Sequence, residues 1–72
     1  MTVVEVFKTN VPDEVPAKEL VTQLLSIFPK HRINFDLQDC DKILRVEGAS
    51  IEETQIMNVV KSNGYSCALL EE

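Results

Sequence analysis

This chain of 72 residues has few cysteines and few basic residues, and it has no long apolar run. It contains two cysteines, Cys40 and Cys67, whereas a disulfide scaffold of this size usually carries about four or more. Both are therefore predicted to be free thiols. Twelve acidic against seven basic residues give a net charge of -5, which repels a phosphate backbone. No nucleic-acid partner is expected.

The sequence also lacks the apolar run of about 20 residues that a membrane-spanning helix needs, and its first residues do not show the basic-then-apolar pattern of a signal peptide. We therefore expect no membrane insertion and a cytoplasmic location. With 44% hydrophobic and 26% charged residues, the composition is typical of a globular protein. Residues 1–72 are expected to form a single domain, near the lower size limit for a core without disulfides or metals.

Alternating apolar residues predict four strands, and an apolar face at helical spacing predicts two helices. The predicted strands are TVVEVFK (2–8), INFDL (33–37), ILRVE (43–47) and the end of the chain, YSCALLEE (65–72). The first helix is predicted to have Pro16 in its first turn and to be ended by Pro29. The second is predicted to start at a capping box formed by Ser50 and Glu53 and to end at Asn63–Gly64.

The order βαββαβ predicts a ferredoxin-like α+β sandwich. Two interleaved βαβ units give a four-stranded antiparallel sheet of strand order 4-1-3-2 with both helices on one face. In this topology the loop after the first strand, the turn around Cys40 and the turn at Gly64 and Tyr65 lie at the same end of the sheet. His31 lies at the opposite end, and a structural or solvent-facing role is predicted for it.

The helix ending in "FP", the hairpin "INFDLQDCDKILRVEG" and the "NGY" turn resemble those of a heavy-metal-associated domain, the copper-chaperone-like superfamily. In that family the first loop carries Met-x-Cys-x-x-Cys, which binds soft ions such as Cu(I). By the family spacing, Pro12 stands at the methionine position and Glu14 and Ala17 stand at the two cysteine positions. Tyr65 resembles a tyrosine that bacterial members place beside the metal loop. The resemblance implies a degenerate member that lacks the usual metal site and binds no cofactor.

Two readings of the cysteines stay open. Cys40, between Asp39 and Asp41, is either an exposed residue of a polar turn or a ligand that holds Cu(I) or Zn(II), with Cys67 or Tyr65 nearby. Mixing one thiolate with carboxylates favours the first reading, because few metals prefer soft and hard ligands together. Cys67 in the last strand is predicted to be a small core residue.

No enzymatic activity is predicted. Asp13 and Glu14 have no nucleophile or oxyanion donor near them in the sequence, and a place near the positive end of a helix explains their charges. Other proteins of this topology bind phosphate through a basic first loop or RNA through aromatic residues on the third strand. The acidic loop "TNVPDEVPA" and the strand "KILRVE" fit neither.

The sheet face away from the helices is predicted to be open, with Val3, Phe7 and Ile43 exposed on its two central strands. Such an apolar patch is typical of an interaction surface. The sequence therefore predicts a small non-enzymatic interaction module that contacts a protein partner or a second copy of itself through this face. A divergent metal-binding protein is the alternative.

Overall fold

A computed structural model describes residues 1–70 of the chain. Its elements are β1 (Val3–Thr9), α1 (Glu14–Ile27), β2 (Arg32–Asp36), β3 (Ile43–Gly48), α2 (Glu53–Ser62) and β4 (Cys67–Leu69). The four strands form one antiparallel sheet of order β2-β3-β1-β4. This is the predicted order 4-1-3-2 counted from the other edge, so the predicted α+β fold is confirmed. The part of the predicted last strand at positions 71–72 lies outside the described residues.

One face of the sheet packs against both helices to form the core. Leu44 and Val46 of β3 are fully buried there, and Leu24 of α1 and Ile56 of α2 meet them from the helix layer. Burial of such side chains contributes roughly 1.5–3 kcal/mol each to folding. The remaining members of the buried core are Phe7, Val11, Ala17, Leu20, Ile33, Val60 and Cys67.

The predicted orientation of β1 is wrong. Phe7 has no exposed surface, and it lies opposite Leu44, whose side chain is in the core. Because side chains alternate along a strand, Val3 shares the helix side with Phe7, whereas Ile43 alternates with Leu44 and lies on the open face. The predicted patch of Val3, Phe7 and Ile43 is therefore divided between two faces of the sheet.

The helix ends match the predictions in part. Helix α1 begins at Glu14, because the Asp13 carboxylate accepts a hydrogen bond from the backbone N–H of Val15 and caps the helix. The predicted capping box is not formed, since Glu52 precedes α2 and provides no side-chain cap. At the other end of α2, Gly64 has φ +92°, as a left-handed cap requires.

Neither of the two helices described in residues 1–70 is long and apolar enough to cross a membrane.

Candidate functional site

Three segments meet at one end of the sheet, as predicted. The backbone N–H of Thr9, at the end of β1, donates to the carbonyl of Asp41 at 2.9 Å, and the Thr9 hydroxyl donates to the carbonyl of Lys42 at 2.6 Å. On the other side, the backbone N–H of Ser66 donates to the Asn10 side chain at 2.8 Å. The first loop is therefore fixed to both the β2–β3 turn and the segment before β4.

The first loop holds its shape through groups of its own. The Thr9 hydroxyl also accepts a hydrogen bond from the N–H of Val11 at 3.2 Å, and the Val11 side chain is fully buried. Pro12 is exposed, and the Asp13 carboxylate that follows it is occupied as the cap of α1. The loop is thus anchored in the core by the side chain of Val11, whereas Pro12 lies at the surface.

The positions assigned by the resemblance are in three different environments. Pro12 and Glu14 are exposed, whereas Ala17 is only 5% exposed and belongs to the core. Tyr65 is half-buried against the core, and its backbone N–H donates to the carbonyl of Val60. A proline, a carboxylate and a buried methyl group do not form the soft thiolate pair that Cu(I) needs.

Cys40 is exposed in the turn between β2 and β3. Its sulfur and one carboxylate oxygen each from Asp39 and Asp41 lie within 4.8 Å of one another. The Asp39 carboxylate already accepts a hydrogen bond from the N–H of Asp41 at 2.9 Å, which is a common way to stabilise a turn. This arrangement brings together one soft and two hard ligands in the solvent.

Cys67 is a free thiol like Cys40, but it is 4% exposed and belongs to the core, as predicted. Burial raises the pKa of Cys67 to about 11, and the charge of Lys61 opposes this with a smaller effect. Because the thiolate is the form that binds metals, the buried thiol is a poor ligand. Among residues 1–70, the group of close ligand atoms contains Cys40 and does not contain Cys67.

The open face of the sheet carries a different set of apolar residues from the predicted one. Val4 is 43% exposed, and Val6 and Ile43 are half-buried. The N–H of Leu70 donates to the carbonyl of Val6 at 2.8 Å, so this residue extends the ladder after β4 and brings a fourth apolar side chain to the face. Sequence reasoning missed Val4 and Val6 because it assigned β1 to the wrong face, and it assigned no face to Leu70.

Charged residues surround these four apolar side chains. Arg45 lies opposite Val6 and forms an ion pair with Glu47, at 2.8 Å between Nη2 and Oε1. By alternation, the open face also carries Lys8 of β1 and both charged residues of β2, Arg32 and Asp36. Among residues 1–70, three basic and two acidic residues thus lie on this face. The face is slightly basic on an acidic molecule.

A groove of about 660 Å³ runs between α1 and the edge strand β2. Its apolar floor includes Val21 of α1 and Ile33 and Phe35 of β2, and Glu14 and Gln38 lie towards its end near the Cys40 turn. The groove is a shallow channel along the edge of the sheet and not an enclosed pocket.

Comparison with protein-family models, curated proteins and solved structures finds no match to this chain.

Proposed function

We propose that this chain is a non-enzymatic protein-binding module that contacts its partner through the open face of the sheet. The observation that carries the proposal is the group formed by Val4, Val6, Ile43 and Leu70, which places apolar side chains at the surface of a four-stranded sheet. An exposed apolar group with a polar rim is typical of a protein contact. The basic rim of Lys8 and Arg45 favours a partner with acidic residues around an apolar centre.

The proposal also holds that the domain is a degenerate relative of heavy-metal-associated proteins and uses no metal or cofactor at the first loop. The exposed carboxylate of Glu14 and the buried methyl group of Ala17 support this, because neither is a soft ligand. The carboxylate of Asp13 caps α1, which explains its presence in the loop without a catalytic role. A protein that works by contact fits these features best, and the free thiols of Cys40 and Cys67 fit a location in the cytoplasm.

The open face is tested with Val6→Glu, and Val15→Glu is the matched control. Val15 lies on α1, is 68% exposed and undergoes the same chemical change away from the sheet. The full chain, immobilised, captures partners from an extract of its own source, and calorimetry measures the affinity of each variant for the purified partner. We expect Val6→Glu to weaken binding about tenfold or more, since it places a charge in an apolar contact. Val15→Glu should bind as the parent does.

Circular dichroism establishes that both variants are folded before their affinities are compared. If folded Val6→Glu binds the purified partner as tightly as the parent does, the open face is not the contact surface. Loss of binding in Val15→Glu alone would assign the contact to the helix layer instead.

A second candidate function is weak binding of Cu(I) or Zn(II) at Cys40. The observation that favours it is the approach of the Cys40 sulfur and the carboxylates of Asp39 and Asp41 to within 4.8 Å. Titration of the reduced protein with each metal separates the two candidates, with Cys40→Ser and Cys67→Ala as paired variants. We expect no stoichiometric submicromolar binding, because the site mixes soft and hard ligands. Tight binding that Cys40→Ser abolishes and Cys67→Ala retains would replace the leading proposal with the second.

A further inference from the structure

We propose that two copies of this chain associate by antiparallel pairing of their β2 edges, in a register centred on Asn34. The contact uses the edge of the sheet and not its open face, so it goes beyond the proposed function. Either surface can act without the other.

The two edges of the sheet differ in how well they accept another strand. The strand order places β2 and β4 at the edges. Within residues 1–70, β4 has three residues, which Leu70 extends by one hydrogen bond, and a short edge strand offers little to pair with. β2 has five residues and pairs with β3 residue by residue without a bulge, from Arg32 opposite Glu47 to Asp36 opposite Ile43. Within residues 1–70 no strand pairs with its outer side.

Edge strands of natural proteins are usually protected by lysine, proline or a bulge. The sequence of β2, RINFD, contains neither lysine nor proline. Its two charged residues have opposite signs and stand at the two ends. This pattern does not repel every incoming strand but selects among them by charge.

Antiparallel pairing of RINFD with itself matches these charges. When Asn34 lies opposite Asn34 of the second copy, Arg32 lies opposite Asp36 of that copy, and the two-fold symmetry repeats this pair at the other end. All of these side chains are on the open face and exposed. Opposite charges that face each other across two strands are stabilising, and like charges are destabilising. A parallel arrangement would place arginine beside arginine.

The same register also joins the apolar sides of the two strands. Ile33 and Phe35 point to the helix side, where they line the groove between α1 and β2. In the proposed pair, each Ile33 lies opposite Phe35 of the second copy. Aromatic and β-branched side chains form favourable cross-strand pairs. The groove opens at this edge, so its floor continues into that of the second copy.

Neighbouring registers lack this agreement. If the register is centred on Ile33, Arg32 lies opposite Asn34 of the second copy. If it is centred on Phe35, Asp36 lies opposite Asn34. Neither register pairs Arg32 with Asp36. A register that pairs Asn34 with Phe35 puts the helices of the two copies on opposite sides of the sheet and exposes the apolar floor. Charge and burial together select the register centred on Asn34.

The experiment is a charge swap. Asp36→Arg alone places arginine opposite arginine, Arg32→Asp alone places aspartate opposite aspartate, and the double variant restores opposite charges. Lys8→Asp is the matched control, because it changes the charge of the open face on β1 and leaves β2 intact. Sedimentation velocity and NMR diffusion measure the association of the full chain up to about 0.5 mM, since a strand pair of this size gives a dissociation constant on the order of micromolar or weaker.

We expect the parent and Lys8→Asp to dimerise equally. Each single β2 variant should be about tenfold or more weaker, because two surface ion pairs are lost and replaced by repulsion. The double variant should recover most of the affinity. In a dimer of mixed labelled and unlabelled parent chains, filtered nuclear Overhauser spectra should join Ile33 of one copy to Phe35 of the other.

The parent remaining monomeric over this concentration range would overturn the proposal. A dimer that persists in folded Asp36→Arg would overturn it as well, and loss of that dimer in Val6→Glu would assign association to the open face. Arg32→Asp also brings a carboxylate opposite Glu47 within the fold. Asp36→Arg lies opposite the uncharged Ile43, and within the fold it removes one exposed hydrogen bond, which the Asp36 carboxylate accepts from the N–H of Gln38 at 3.2 Å. It is therefore the decisive single variant when its fold is retained.

Discussion

Cys67 lies directly opposite Thr9 of β1, on the helix side of the sheet, where it is 4% exposed. Burial raises its pKa from 9.0 to about 11, because the charged thiolate is costly to remove from water. Cys40 carries the same functional group in an exposed turn. The two thiols therefore differ in burial: Cys67 is inaccessible, whereas Cys40 is accessible to solvent.

The raised pKa makes the stability of the protein depend on pH in the alkaline range. Between pH 9.0 and about 11 the unfolded thiol has lost its proton while the folded one keeps it. Folding stability due to Cys67 is thus complete below this range and is lost as the pH rises through it, by at most about 1.4 kcal/mol per pH unit.

Urea unfolding of the parent and of Cys67→Ala, from about pH 8 to about pH 11, measures this effect. The variant lacks the thiol and keeps every other side chain of the parent. We expect the difference in unfolding free energy between the two proteins to shift against the parent as the pH rises. A constant difference would mean that Cys67 has the same pKa in the folded and unfolded chain.

At the scale of elements, the end of β3 meets the loop between α1 and β2. A Cβ atom added at Gly48 would lie 3.0 Å from three atoms of the His31 ring. The Phe28 ring also packs against it, with centroids 5.0 Å apart, and within residues 1–70 its Nε2 atom is buried without a hydrogen-bond partner. The His31 ring therefore packs against Phe28 and beside Gly48, and Gly48 leaves the space that the ring occupies.

This contact predicts a change of sign in a double-mutant cycle. Gly48→Ala alone should destabilise the protein by about 1–3 kcal/mol, because the added methyl group displaces a packed ring. In a His31→Ala background the same substitution should be neutral or stabilising by up to about 1 kcal/mol, since alanine is favoured over glycine in a strand. Thermal unfolding of the four proteins measures both steps. Equal effects in the two backgrounds would show that the ring is not the obstacle.

The elements themselves were predictable, whereas the orientation of β1 was not. In β3, Leu44 and Val46 alternate with Arg45 and Glu47, so only one face can be buried, and this face was predicted correctly. β1 has Val3 and Phe7 on one face and Val4 and Val6 on the other. Because both faces of β1 carry apolar residues, the alternation of side chains does not decide which face is buried. The deciding contacts, such as the hydrogen bonds of Thr9 to the β2–β3 turn, join residues far apart in sequence.

The site was predictable to a similar extent. Convergence of the first loop, the Cys40 turn and the Tyr65 turn follows from topology and is confirmed. Pro16 lies in the first turn of α1, as predicted, but sequence reasoning did not identify Asp13 as the residue that caps the helix. The membership of the open face depended on the orientation of β1 and was wrong with it. Resemblance to the heavy-metal-associated superfamily stays a prediction.

At the scale of the whole molecule, the two proposed contacts are compatible. A pair of copies joined at β2 would form a continuous sheet in which both open faces point to the same side, because the two-fold axis passes between the two Asn34 residues, perpendicular to the sheet. The dimer would therefore present Val4, Val6, Ile43 and Leu70 twice on one surface. A partner with two binding segments would then gain from avidity as well as from affinity.

Charge is distributed unevenly across the thickness of the molecule. Within residues 1–70, the helix layer carries Glu14, Glu19, Glu52 and Glu53 against Lys18 and Lys61, while Lys8, Arg32 and Arg45 outnumber Glu47 and Asp36 on the open face of the sheet. This asymmetry acts as a dipole along the axis from helices to sheet. In dilute salt, an approaching acidic molecule rotates the protein before they touch, so the sheet faces it at the moment of collision. At physiological ionic strength salt screens this torque beyond about 8 Å, so at larger separations the two molecules approach in nearly random orientations.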